Sequence, residues 1–263
     1  MSGHLFMQNG MQDEEKIAYI RYHKKLNIYL SYYVKYEDIG LKDFKETWDY
    51  QEMIFRKLVN KKRDNSAESG SDGMVQGTLL FVEHPHVYTL GKSGSENNLL
   101  LDNIQLKAKE AKFYRIDRGG DITYHGPGQI VGYPIFDLEV MGISLKEYIH
   151  LIEEAVIRTI SGFKVIGGRL EGAAGVWLDP DNGTCTRKIC AIGVKASRYI
   201  TMHGFAFNVN TNLDYFNHIN PCGFTDKGVT SLEKELGCKQ DFAKVKKVLK
   251  DCLQQVFDLE WTN

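Results

Sequence analysis

Three stretches of this chain concentrate side chains capable of chemistry. The densest runs Arg118-Gly119-Gly120-Asp121-Ile122-Thr123-Tyr124-His125-Gly126-Pro127-Gly128-Gln129. Glycine costs about 1 kcal/mol inside a helix or strand, so this segment is poor material for either. Glycines at this density serve positive-φ turns and close approach of backbone to a ligand. Pro127 stiffens the turn, and Arg118, Thr123, Tyr124, His125 and Gln129 set polar groups beside the bare backbone. The combination predicts a ligand-binding loop rather than a plain hairpin. No Gly-Lys-Ser/Thr follows and the spacing is not GxGxxG, so phosphate-loop chemistry has no support.

The second stretch is Arg187-Lys188-Ile189-Cys190-Ala191-Ile192-Gly193, where a lysine enters an apolar, small-residue strand. Taken alone, Lys188 reads as an edge lysine holding its ammonium in water. The third is His203-Gly204-Phe205-Ala206-Phe207-Asn208-Val209-Asn210, followed by Pro221-Cys222-Gly223. A cysteine between proline and glycine is presented on a turn, as a nucleophile must be. Turn thiols also occur without any chemistry, so this segment alone leaves both readings open. Cys252, on a helical face, reads as a small core hydrophobe.

Such groups need elements to hold them. Asp43–Val59 has Phe44, Trp48, Phe55 and Val59 at near-helical spacing and predicts a helix. Thr78–Glu83, Val87–Leu90 and Ile130–Leu138 are apolar runs that predict strands, as are Val165 and Val176–Leu178. Ser144-Leu145-Lys146-Glu147 is a capping box, and Leu145, Ile149, Ile152, Val156 and Ile160 continue it as one apolar stripe. Phe205, Phe207 and Val209 alternate with smaller or polar residues, predicting a half-buried strand. Asp241–Phe257 predicts a last amphipathic helix through Phe242, Val245, Leu249, Cys252 and Val256. Interspersed helices and strands without a repeated βα unit predict an α/β (α+β) fold, a mixed sheet with helices packed on it. Residues 1–25 are expected to be a flexible segment and 26–263 one catalytic domain. A Ser-, Gly-, Asn- and Asp-rich insertion at about 61–75 is expected to be mobile.

Composition narrows the function. Of 263 residues, 43% are hydrophobic and 25% charged, enough for a sizeable core. No apolar run is long enough to cross a membrane, and Met1–Lys16 lacks a signal-peptide pattern, which predicts a cytoplasmic protein. The net charge of −1 gives no global basic field for nucleic acid. Five cysteines without paired spacing argue against a disulfide framework. His84-Pro85-His86 lacks further ligands at convincing spacing, so no metal is expected.

Together the three segments resemble the lipoyl(octanoyl) transferase family of lipoate biosynthesis. Its pattern is RGG, then T-x-H-G-P-G-Q, a K-I-x-x-x-G strand, an H-G-x-A-x-N-V-N strand and a P-C-G turn. This chain carries Arg118-Gly119-Gly120, Thr123, His125–Gln129, Lys188-Ile189, Gly193, His203–Ala206, Asn208–Asn210 and Pro221–Gly223 in that order. Val82–Pro85 and Tyr88–Gly91 look like the family too, and the resemblance fades over the first 60 residues and the C-terminal tail. It implies the biotin/lipoate protein ligase-like fold, a mixed, largely antiparallel sheet flanked by helices. It also implies transfer of octanoyl from acyl carrier protein to a lysine of a lipoyl domain. The implied acceptors are the lipoyl domains of 2-oxoacid dehydrogenase E2 subunits and the glycine cleavage H protein.

The resemblance assigns Cys222 as the acyl-thioester nucleophile and Lys188 as its partner. A thiolate is the attacking form, and a neighbouring ammonium favours it. Arg118, Gly119, Gly120, Asp121, Ile122, Thr123, Tyr124 and His125 match the family's substrate-binding segments. So do Ala191, Ile192, Gly193, Gly204, Phe205 and Ala206. A role for His125 in orienting the lysine or meeting the carbonyl is a further expectation. No cofactor is implied, and a monomer is the default. The main rival is an ATP-dependent lipoate or biotin ligase, which shares the fold and has no need of Cys222. A cysteine hydrolase pairing Cys222 with His125 or His203 is the second.

Overall fold

Strand β1 (Tyr32–Leu41) leads into helix α1 (Phe44–Arg63), whose start is set by Asp43. The Asp43 carboxylate accepts the Lys45 backbone N–H at 2.8 Å, satisfying a donor that the first helical turn leaves without an intrahelical acceptor. The helix runs past the predicted Val59 and ends on Lys61, Lys62 and Arg63, cations that suit the negative end of a helix dipole. Then follow β2 (Val75–Glu83), β3 (Val87–Leu90), α2 (Asn103–Ala108), β4 (Lys112–Arg115), β5 (Ile122–His125) and β6 (Gln129–Phe136). The second half holds α3 (Leu145–Gly162), β7 (Gly168–Leu170), β8 (Ala173–Leu178), β9 (Arg187–Ser197) and β10 (Ile200–Asn208). The chain closes with β11 (Gly228–Val229), α4 (Leu232–Leu236), α5 (Phe242–Phe257) and β12 (Leu259–Thr262). The computed structural model describes residues 32–63, 75–220 and 227–262. The expected flexible segment 1–25, most of the expected insertion at 61–75, and the Pro221-Cys222-Gly223 turn lie outside these residues.

Among the described residues nine strands make the main sheet, in the order β12-β1-β2-β6-β10-β9-β8-β7 with β11 beside β9. β1 pairs in parallel with β2 and β12, and β11 with β9. The remaining pairs of the main sheet are antiparallel, as the family resemblance implies. A second sheet, β4-β3-β5, lies apart from it. No helix among the described residues is long and apolar enough to cross a membrane.

Burial corrects several expectations. β10 is buried along its whole length rather than on one face. Phe205 and Phe207 join the core under α3 and α5, with Ile152, Val156 and Leu249. Met202 and Ala206 face the other way, against Phe55 of α1. A strand covered on both faces loses the demand for polar alternation.

Ser144 caps α3 by accepting the Glu147 N–H at 3.1 Å, the serine half of the capping box. Leu145 is exposed, however, and Tyr148, Ile152, Val156 and Ile160 form the buried stripe. In α5 the buried face is Val245, Leu249, Leu253 and Phe257, with Cys252 and Val256 only flanking it. Val165 lies in no strand. Its N–H returns to Ile160 O at 3.1 Å and that of Lys164 to Ser161 O at 2.9 Å. Lys164 has φ 63°, so the pair closes α3 in a Schellman turn, and the strand begins at Gly168.

Candidate active site

The glycine-rich segment links the two sheets. His125 ends β5 in the small sheet, Gln129 begins β6 in the large one, and Gly126-Pro127-Gly128 turns between them. Gly128 has φ 79°, and a Cβ there would stand 2.3 Å from Asn210 O. Only glycine fits, which is why the sequence is so bare at this point. Upstream, Gly119 N–H donates to Val194 O of β9 at 2.8 Å, laying the Arg118–Gly120 loop along that strand. Arg118 is buried and donates to Thr89 O at 2.7 Å and to Gly119 O at 3.0 Å. The Asp121 carboxylate accepts from Ile122 N at 2.7 Å and from Asn98 Nδ2 at 2.7 Å.

These segments enclose a cavity of about 330 Å³. Its walls include Arg118, Gly120, Asp121, Ile122, Thr123 and His125 from the glycine-rich segment. β9 contributes Lys188, Ala191, Ile192 and Gly193, and β10 contributes His203, Gly204, Phe205 and Ala206. Two sequence-predicted residues do not line it. Tyr124 points away, its hydroxyl hydrogen-bonded with His86 Nδ1 at 2.8 Å and its ring stacking on Tyr215. Gly119 spends its exposed backbone on β9.

Lining residues that the sequence reading did not single out are Phe44, Ile116, Val131, Tyr133, Phe216 and Val229, with Gly172–Ala174. Val131 and Tyr133 follow Gln129 at period two, so strand alternation carried the signal for them. Phe44, Phe216 and Val229 reach the cavity only through tertiary packing.

Lys188, the second residue of β9, lines the cavity. Its Nζ lies 4.4 Å from the centre of the Trp177 ring on β8, and an aromatic face attracts an ammonium. Its carbonyl accepts the Thr230 N–H at 2.9 Å. Arg187 beside it holds Glu235 through two nitrogens, at 2.7 and 2.6 Å. The β8–β9 register slips between Val176 and Trp177, next to Gly175, whose φ is 127°. A Cβ on Gly175 would meet Cys190 O at 2.5 Å and Lys188 Cε at 3.5 Å. The buried Glu153 fixes this irregularity by accepting the Gly175 N–H at 3.0 Å, while its other oxygen pairs with Arg169 Nε at 3.0 Å. Lys188 is therefore presented by a bulged strand pair held from behind by a helix carboxylate, and its backbone is fixed through Thr230.

His125 is held in a buried hydrogen-bond network. Gln129 Nε2 donates to Asn208 Oδ1 at 2.9 Å and to Tyr124 O at 3.2 Å, so Gln129 Oε1 is the acceptor that faces His125 Nδ1 at 2.9 Å. The imidazole therefore carries its proton on Nδ1, and Nε2 accepts from the Thr89 hydroxyl at 3.4 Å. Burial holds its pKa down to about 3. With both nitrogens engaged and the ring stacked on Phe44, His125 braces the cavity wall. Asn208 passes the network on to Thr230 O at 3.0 Å, tying the glycine-rich turn to the residue that holds Lys188.

His203 is likewise committed, its Nε2 lying 3.1 Å from Asp117 Oδ1. The ring N–H and the Lys195 ammonium hold the Asp117 carboxyl well below the usual carboxylate range. Burial still pushes the His203 pKa down. His125, with both ring nitrogens engaged, has no free nitrogen for the general-base role that the hydrolase reading would give it.

A second cavity, about 320 Å³, meets the first at Lys188, Phe216 and Val229. It extends along Trp177, Asp214, Ile219, Lys227 and Lys234. The expected nucleophile, Cys222, is outside the described residues. Ile219 and Lys227, on either side of it in the sequence, both line this second cavity.

Comparison with known proteins gives a consistent picture. The lipoyl protein ligase A/B catalytic domain matches residues 43–254. The chain is 51% identical over 223 residues to an octanoyltransferase of Parabacteroides distasonis, covering 85% of this chain and 98% of that protein. It is 55% identical over 212 residues to an octanoyltransferase of Bacteroides fragilis, covering 81% and 92%. In three dimensions it resembles a bi-partite lipoate protein ligase of Thermoplasma acidophilum. The TM-score is 0.63, across 87% of this chain and 85% of that one, at 12% identity. That last likeness shows the fold alone.

Proposed function

The chain belongs to the lipoyl protein ligase A/B catalytic domain family, and from that premise we infer an acyltransferase that moves octanoyl groups in lipoate biosynthesis, as its relatives' names indicate. We propose that the donor is octanoyl-acyl carrier protein, that Cys222 carries the acyl group as a thioester, and that lipoyl-domain lysines of E2 subunits and the H protein receive it. The observation that carries this reading is the largely apolar cavity between the glycine-rich segment and β9–β10, with Lys188 in its wall. An alkyl chain fills such a space by the hydrophobic effect, at about 0.8 kcal/mol per buried CH₂. A short polar substrate would leave the Ile122, Val131, Ile192 and Phe205 walls unused.

The chemistry runs in two balanced steps. The Cys222 thiolate attacks the donor's thioester carbonyl, the carbon–sulfur bond to the carrier arm breaks, and the Lys188 ammonium gives its proton to the departing thiolate. The acceptor amine then attacks the enzyme thioester, the bond to Cys222 breaks, and the proton shed by nitrogen returns to Lys188. Before loading, the positive charge of Lys188 favours the Cys222 thiolate. Thiols must stay reduced for this, and a cytoplasmic setting fits the free Cys185, Cys190, Cys238 and Cys252. A monomer suffices, since the groups invoked all belong to one chain.

Purified protein, octanoyl-acyl carrier protein and an apo lipoyl domain should yield octanoylated domain without ATP. Product that forms only from free octanoate and ATP would instead establish ligation.

A further inference from the structure

The apolar cavity has a side remote from Lys188. Lys188 and His203 both line it, and His203 pairs with Val194, six residues along β9 from Lys188. At about 3.3 Å per strand residue, the two backbones stand roughly 20 Å apart. The lysine and the wall side chains take up part of that span, and the remainder suits a medium-length alkyl chain. Ile116 belongs to the remote side, since the next residue, Asp117, is the partner of His203 Nε2 at 3.1 Å.

The neighbouring walls are fixed by polar bonds. The Tyr133 hydroxyl is tied to His84 at 2.8 Å, and Arg118 donates to Thr89 O at 2.7 Å. Arg118 also closes the route along β9. A Cβ on Gly193 would meet Arg118 Cδ and Gly119 O at 3.0 Å each, so no alkyl chain passes between that strand and the loop. Ile116, by contrast, is held by packing. It is buried in a cluster with Phe44 and Val87, against which Trp48 packs. Phe44 lines the alkyl cavity. Trp48 lines a third cavity, about 450 Å³, together with the exposed Lys92 and Arg115. Ile116 is the one described residue that lines both spaces. A single aliphatic residue therefore separates the alkyl cavity from a hollow at the surface.

We propose that Ile116 is the stop that limits acyl-chain length, a specificity-determining residue for the transfer. The inference rests on the transferase reading above and deepens it. With the thioester carbonyl beside Lys188, the methyl end of an octanoyl chain comes to rest against Ile116. A chain two or four carbons longer has to push Ile116 out of a close-packed cluster, and such overpacking is unfavourable. Shortening Ile116 joins the two cavities and lets the additional methylenes continue toward Trp48.

The test offers octanoyl- and dodecanoyl-acyl carrier protein together, in equal amounts, with an apo lipoyl domain, and counts the two products by intact mass. Their ratio is a ratio of kcat/KM values, so it does not depend on how much of a preparation is folded. Wild type should favour octanoyl, and Ile116→Ala should raise the dodecanoyl share roughly tenfold or more, the scale on which an apolar wall distinguishes a single methylene. Ile116→Val is a milder cut, in case alanine prevents folding, and should raise the share of decanoyl over octanoyl in the same assay. An unchanged ratio in Ile116→Ala, or in Ile116→Val where alanine does not fold, would overturn the assignment and leave the transferase reading standing. So would a wild type that uses dodecanoyl as readily as octanoyl. A wild type that transfers neither group would defeat the transferase reading itself, and this assignment with it.

Discussion

At the scale of single residues, the side chains that look most catalytic in sequence are partly structural. His125 and His84 are both buried and neutral. His84 donates to Lys42 O at 2.8 Å and accepts from the Tyr133 hydroxyl at 2.8 Å. Burial lowers its pKa to about 4 and that of His125 to about 3. In the unfolded chain each takes up a proton near pH 6.5, whereas the folded chain holds both neutral. Their contribution to stability is thus intact above pH 6.5 and is lost as pH falls toward 4. Each contributes a slope of about 1.4 kcal/mol per pH unit, roughly 3 for the two together at most. Urea melts from pH 7 to 4.5 should show this decline, and His125→Asn, which removes one titration, should flatten it. An unchanged slope in the variant would mean that His125 makes no contribution to the acid side.

At the scale of elements, the site depends on two backbone irregularities, the Gly128 turn and the Gly175 bulge. Only the first was legible. The glycine-rich segment announces itself because several glycines beside polar residues have no place in regular structure. Gly175 sits in an ordinary-looking Ala-Ala-Gly-Val-Trp-Leu run, and its need for φ 127° arises from Cys190 O across the strand pair, a contact that no local pattern encodes. Gly175→Ala should destabilise the protein by about 1–3 kcal/mol, the usual range for a forced backbone strain. It should also slow acyl loading more than surface changes of similar stability cost, because Lys188 Cε borders the same space. Thermal melts beside single-turnover loading rates check this, and a variant with normal loading would show that the bulge does not position Lys188.

The same distinction explains the strands. β3 was predicted with its observed ends, since an apolar run between His-Pro-His and glycine has sharp borders. The half-buried reading of β10 failed because alternation cannot reveal that α1 covers the far face. The stripe of α3 was drawn one turn too early, since Leu145 is apolar but lies in the exposed first turn. In α5 the periodicity was sound and only its centre shifted, toward Leu253 and Phe257.

At the scale of the whole molecule, three segments far apart in sequence converge because β6, β10 and β9 are neighbours in the main sheet and the β5–β6 turn brings the small sheet against them. Their order in the chain was readable as a family pattern. Their meeting point was not, because it depends on strand pairing between residues up to dozens of positions apart. The result is a largely apolar cavity with a lysine in its wall, on a fold that also serves ligases, so the covalent step separates the two chemistries. The most direct test is intact mass spectrometry after mixing the protein with octanoyl-acyl carrier protein, with neither ATP nor acceptor. Wild type should gain one octanoyl group that hydroxylamine removes, Lys188→Ala should gain it more slowly, and Cys222→Ala should not gain it at all. An unmodified wild type, or an adduct that persists in Cys222→Ala, would contradict the account.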